Sequence, residues 1–119
     1  MLRDPLARQL GVRRLEDQAD GSVRLEMAFT PAALGRPGFL HGGAIGGLLA
    51  IACDEAVGKG ARGFTSHIEF LRGAREEVMT VEATVQRRRT IATATAVAWQ
   101  DDREKPVATM SRKYRLPVA

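Results

Sequence analysis

The sequence predicts an α+β fold in which an antiparallel sheet wraps around one long central helix. Three observations carry that prediction. The only long apolar run, Phe39 to Val57, has helical spacing, with Ile45, Leu48, Leu49, Ala52 and Ala56 recurring three, four and seven residues apart. The segments before and after it alternate with a period of two. The connections between the later segments are also too short for the dozen or more residues a parallel crossover needs, so those strands must pair antiparallel.

In the central helix, the side opposite the apolar stripe is mostly Ala, Gly and Cys until Asp54 and Glu55. A helix with no polar face is covered on more than one side, as enclosure by a sheet would do. Gly42, Gly43, Gly46 and Gly47 each weaken a helix by about 0.5 to 1 kcal/mol relative to Ala. Close approach of another backbone or of a ligand to the helix start accounts for glycine there.

The remaining elements follow in order. Asp4 to Leu10 has the makings of a short amphipathic helix, with Asp4 as cap and Pro5 in the first turn. Val12 to Asp17 and Ser22 to Thr30 form a hairpin about Ala19-Asp20-Gly21, and in the second strand Val23, Leu25, Met27 and Phe29 alternate with Ser22, Arg24, Glu26 and Ala28. Pro31 to Leu40, with two prolines and two glycines, is a loop that delivers the chain to the helix. Gly58-Lys59-Gly60 ends the helix with a glycine for the left-handed cap and a base at the negative end of the dipole. Phe64, Ser66, Ile68 and Phe70 then share one face of a strand that Gly73 breaks. Met79 to Gln86 is the next strand, followed by the basic turn Arg87-Arg88-Arg89. Ile91 to Trp99 places Ala92, Ala94, Ala96 and Ala98 on one face, small enough for a helix to lie close against the sheet. Val107 to Leu116 is the last strand; Ala108, Met110, Tyr114 and Leu116 share a side, and Arg112 is the exception on it.

The 119 residues are read as one domain, 1–119, with residues 1–10 as the short helical lead-in. A net charge of +4 and a pI near 10 suit an anionic partner such as nucleic acid or a phosphorylated cofactor. One Trp, one Tyr and four Phe leave little surface for stacking bases, which disfavours nucleic acid. The single cysteine, Cys53, excludes an internal disulfide and a cysteine metal cluster. With neither a signal-like amino terminus nor an apolar run of spanning length, the expectation is a cytoplasmic protein with no membrane partner.

Laid out this way, the chain resembles the hotdog-fold thioesterases of the PaaI and acyl-CoA thioesterase type. His41-Gly42-Gly43 opening an apolar helix is similar to that family's HGG signature. Ile68-Glu69-Phe70-Leu71-Arg72 resembles its strand ending in an aromatic residue, Leu and Arg, and the hairpins match its strand order over roughly residues 12 to 116. The resemblance implies a homodimer or a dimer of dimers (a homotetramer) that hydrolyses an acyl-CoA at sites between subunits. Coenzyme A then enters as part of the substrate, and no other cofactor is called for. By the same likeness the backbone N–H of Gly43 polarises the thioester carbonyl, and Phe39, Leu40 and Gly42 contact substrate.

A carboxylate nine residues beyond the signature histidine normally serves as base or nucleophile in that family. Here that position is Ala50, and Asp54 lies one turn further on the same face. Asp54 is either the base or a carboxylate that faces water or pairs with Lys59 or an arginine. The Ser or Thr that the family often carries near the start of the next strand corresponds to Gly63, with Thr65 and Ser66 nearby. His41 either orients the loop or substrate or simply caps the helix. Cys53 has no evident partner base and reads as a small buried residue. Arg88 and Arg89, with Arg72 and Arg112 behind them, suit the phosphates of coenzyme A, because guanidinium groups bind such oxygens bidentately; a solvated turn is the alternative. No histidine pair with metal-ligand spacing is present. Two functions stand: an acyl-CoA thioesterase using Gly43, Asp54 and His41, or a hotdog protein that binds an acyl ligand without hydrolysing it.

Overall fold

Residues with period-two alternation must pair with neighbours to satisfy their backbone, and in the computed structural model they form a single six-stranded antiparallel sheet. The structure describes residues 2, 5–16, 18, 20–28, 42–75 and 77–117. Helix α1 spans Pro5–Leu10; strands β1 (Val12–Arg14) and β2 (Val23–Met27) follow, then helix α2 (Gly42–Val57) and strands β3 (Arg62–Phe70), β4 (Met79–Arg88), β5 (Ile91–Trp99) and β6 (Ala108–Arg115). Asp4, the loop from Pro31 to Leu40 and His41 lie outside the described residues.

The first hairpin is shorter than its alternation suggests, with Val12 opposite Met27 and Arg14 opposite Leu25. Its turn is set by Gly21 at φ 84° and by the Asp20 carboxylate, which accepts the Ser22 N–H at 2.9 Å. Helix α2 ends in left-handed Gly58, whose N–H donates to the Asp54 carbonyl at 3.0 Å. The basic group at that end is Arg87 from β4, donating to the Val57 carbonyl at 2.9 Å; Lys59, the expected cation, is exposed.

The core is the contact of α2 with the inner face of the sheet. Leu48, Leu49, Ile51, Ala52 and Cys53 are fully buried, and so are Ala92, Ala94, Ala96 and Ala98 across from them. The alanine face of β5 admits the helix backbone as its composition implies. Leu25, Met27, Met79 and Val81 extend this core under β2 and β4. Among the described residues no helix is long and apolar enough to cross a membrane.

Strand order departs from chain order. Among the described residues the sheet runs β1-β2-β4-β5-β6-β3, so β3 lies at its edge, paired with β6 alone. All pairing is antiparallel, yet β3 and β4 are not neighbours: residues 71–78 carry the chain from the edge back to the interior. Alternation in β3 is also interrupted. Gly63 faces Tyr114 and Thr65 faces Lys113, leaving Phe64 as the extra residue of a β-bulge. Phe64 therefore leaves the face it was expected to share with Ser66, Ile68 and Phe70; it is 48% exposed, with the Arg115 guanidinium 5.5 Å from its ring. Gly63 takes the place on the inner face.

Candidate functional site

Helix α2 and strand β3 run antiparallel to one another, and their packing sets a ladder of positions. A Cβ on Gly42 would lie 3.8 Å from the Phe70 ring, and one on Gly46 would lie 3.6 Å from Ile68 Cδ1. Two strand residues thus match one helical turn. Continuing the step puts Ser66 level with Ala50, and the bulge then brings Gly63 level with Asp54. Both distances are ordinary van der Waals contact, so β3 side chains pack on α2 here without themselves requiring glycine.

Asp54 is the best-furnished residue on that row. The Tyr114 hydroxyl donates to Asp54 Oδ1 at 2.5 Å, and Arg112 Nη1 lies 3.5 Å from the same oxygen. Both partners come from the inner face of β6, and the Arg112 guanidinium stands 5.5 Å from the Tyr114 ring. Arg112, the apparent exception in an apolar alternation, is thus the ion-pair partner of Asp54; Lys59 is not. Together with Gly58, Ala61 and Gly63, these three side chains line a cavity of about 260 Å³. Burial, and next the hydrogen bond to Asp54, push the Tyr114 phenol well above its ordinary value, so the hydroxyl stays protonated and donates. Burial, with the Asp54 charge adding to it, pushes the Cys53 thiol up to about 12; Cys53 is a core residue and no thiolate nucleophile at neutral pH.

The other expected residues separate into two groups. Gly42 and Gly43 open α2 beside Phe70, and Arg72 follows two residues after Phe70. Arg72, Arg75 and Lys105 line a second cavity of about 350 Å³ with Asp101 and Asp102, and the Gln100 side chain ties this loop down by bonding both backbone groups of Arg75. Arg88 and Arg89 sit at the opposite end of α2, exposed on the β4–β5 turn where Arg89 adopts φ 54°. Glu55 is paired with Arg14 at 3.4 Å. His67 is exposed and lies 3.2 Å from Glu69. Phe39, Leu40 and His41 fall outside the described residues. Gathering of three or more His, Cys, Asp or Glu side chains suited to a metal is absent among the described residues.

A family model of the acyl-CoA thioesterase N-terminal domain matches residues 30–112, well over half of the chain. The chain belongs to that family. Solved structures agree with this thioesterase-superfamily assignment. A thioesterase family protein from Silicibacter pomeroyi is 28% identical, with 98% of this chain and 92% of that one covered and a TM-score of 0.83. Two more distant structures share the fold: the phenylacetic acid degradation protein PaaI from Thermus thermophilus (19% identity, 96% and 100% covered, TM-score 0.84) and a phenylacetic acid degradation-related protein from Ralstonia eutropha (24%, 95% and 91%, 0.81). Comparison with curated proteins found no match. The architecture is the hotdog fold, with six antiparallel strands wrapped on one helix. Within this thioesterase family member, the matched segment stops at Arg112, so Tyr114 lies just beyond it. Alternation in the last strand puts Tyr114 on its apolar side and names no partner for it. Its hydroxyl, the one phenol in the chain, was the available signal.

Proposed function

We propose that the chain hydrolyses an acyl-CoA thioester at sites shared between two copies, with Asp54 as general base. The observation that carries this reading is the Asp54–Tyr114–Arg112 cluster, a carboxylate held on the central helix of a thioesterase fold and opening on a cavity. Gly43 belongs to the first turn of α2, whose N–H groups and positive dipole end suit a developing oxyanion. Along one helix, however, the eleven residues from Gly43 to Asp54 amount to about 16 Å. One thioester cannot touch both within one copy. The two groups act together only when Gly43 comes from one copy and Asp54 from another, arranged with their helices antiparallel.

The β3 edge is suited to that assembly. Among the described residues this nine-residue strand has no partner on its outer side, and Phe70 and Leu71 at its end are 55% and 48% exposed. In the shared site Asp54 takes a proton from water as the oxygen attacks the carbonyl carbon. The oxyanion forms at the Gly43 amide; its collapse breaks the C–S bond, and the proton held by Asp54 passes to the leaving thiolate, releasing coenzyme A and the acid. Tyr114 and Arg112 hold the carboxylate in place. Arg72 from one copy and Arg88 and Arg89 from the other then flank the same site as cations for the phosphates of coenzyme A.

A second reading is binding of an acyl-CoA or related acyl ligand without hydrolysis. It is favoured by Ala50 at the family's carboxylate position and by the ion pair of Asp54, which a structural carboxylate would also make. The two readings divide on turnover of an acyl-CoA panel by the wild type and by Asp54→Asn. Hydrolysis abolished by the substitution supports the base. Turnover that survives it removes Asp54 from the chemistry, and binding with no turnover establishes the second reading.

A further inference from the structure

Gly63 stands where a hydroxyl residue was expected, and the structure contains a reason. Its backbone does not require glycine: the glycines with positive φ are Gly11, Gly21, Gly58 and Gly60. Space requires it. A Cβ at position 63 would lie 2.9 Å from Arg112 Nε, 3.1 Å from Nη2 and 3.4 Å from Cζ. One edge of the guanidinium is therefore laid against the Gly63 backbone while Nη1, on the other side, reaches Asp54. Arg112 Nε is buried with no hydrogen-bond partner among the described residues, so the packing position of this group is set by shape and by its contact with Asp54. The β-bulge at Phe64 is what turns Gly63 onto the inner face opposite Tyr114; without it that position would point outward.

We propose that Gly63 and Arg112 are a matched pair of positioning residues: the missing side chain at 63 admits the guanidinium, and the guanidinium fixes the Asp54 carboxylate beside the Tyr114 hydroxyl. Neither touches substrate; both act through Asp54. The catalytic meaning of the pair rests on Asp54 serving as the base. The coupling itself does not, and it is measured without turnover.

The experiment compares wild type, Gly63→Ala, Arg112→Met and the double variant in two readouts. Tyr114 is the only tyrosine in the chain, so labelling tyrosine at Cζ gives one NMR resonance that reports the hydrogen bond to Asp54. Both single variants should move that resonance, and the double variant should match Arg112→Met, because the added methyl has nothing left to displace. In acyl-CoA hydrolysis the single variants should lose about tenfold to hundredfold in kcat with KM little changed, and Gly63→Ala combined with Arg112→Lys, whose slender stem passes the methyl, should recover part of the loss. A resonance unmoved in both folded single variants, or effects of Gly63→Ala and Arg112→Met that simply add, overturns the pair. If Gly63→Ala does not fold, Arg112→Met carries the same test at Tyr114, and an unmoved resonance there overturns it. Should the wild type turn over no acyl-CoA, the base reading fails while the resonance still decides the coupling.

Discussion

The Tyr114 hydroxyl and the Asp54 carboxylate, sixty residues apart in the chain, meet at 2.5 Å between the last strand and the end of the central helix. Tyr114→Phe removes the donor and leaves a half-buried carboxylate with Arg112 as its remaining described side-chain partner. Hydrogen bonds to charged groups contribute about 1.5 to 3 kcal/mol, and denaturant unfolding of this variant should register a loss in that range. Turnover should fall with it, mainly in kcat. An unfolding midpoint unchanged from wild type would mean that this bond contributes nothing.

Gly43 acts through its backbone. Gly43→Pro keeps a residue type that the first turn of a helix accepts but removes the N–H. Loss of an oxyanion donor costs about 10² to 10³ in kcat, and that is the expected fall, measured by steady-state hydrolysis of the best acyl-CoA. Gly43→Ala retains the N–H and should keep most of the activity.

The open β3 edge gives a prediction about assembly. Leu71→Glu places a charge at the exposed end of the strand proposed to meet a second copy. Sedimentation should show the wild type as a dimer or larger and the variant as a smaller species, with turnover lost in parallel, since Gly43 and Asp54 would no longer share a site. A monomeric wild type with full turnover would rule out the shared site.

Acid stability should depend on the outer face of the sheet, far from the cavity. Glu82 is buried there and paired with Arg24 and Arg103, and the Trp99 ring lies 5.7 and 5.1 Å from their guanidinium carbons. Burial alone would raise its carboxyl, but the hydrogen bonds from the two arginines outweigh it and hold the group below the ordinary 4.5. A depressed folded value means a contribution that is complete above about pH 4.5 and disappears as the pH falls through the folded value. Glu82→Gln should cost about 2 to 3 kcal/mol at pH 7 and flatten the acid limb of the stability profile.

At the alkaline end Cys53 supplies the opposite sign. Its thiol is raised from 9.0 to about 12, so its contribution is complete below pH 9 and is lost as the pH rises toward the folded value. Cys53→Ala should reduce the decline of stability between pH 9 and 12, followed by chemical denaturation at a series of pH values. The native thiol should react with a disulfide reagent only at the rate of unfolding.

Much of the fold is legible in local patterns because those patterns reflect local geometry. The alanine alternation of β5, the glycine stop at Gly58 and the apolar stripe of α2 each declare themselves within a dozen residues. The bulge at Phe64 does not: an extra residue changes which side chains share a face without altering the composition of the strand. The β3–β6 pairing is equally silent, since it joins segments some forty residues apart and bypasses β4 and β5. Arg112 stood out on an apolar face, yet its partner could be named only once that pairing put it beside Asp54. Glu82 offered a similar signal, an acid amid MTVEATV, and its two arginines come from distant elements.

Because β3 pairs, among the described residues, with β6 alone, the carboxylate site has an order of appearance during synthesis. Asp54 and Gly63 leave the ribosome well before Arg112 and Tyr114. At ordinary translation rates the sixty residues that separate Asp54 from Tyr114 take about 3 to 12 s. Late in that interval, once β4 and β5 have emerged, α2 can collapse onto them, but the edge strand still lacks β6 and Asp54 has neither of these two partners. The site is thus the last part of the nascent domain to close.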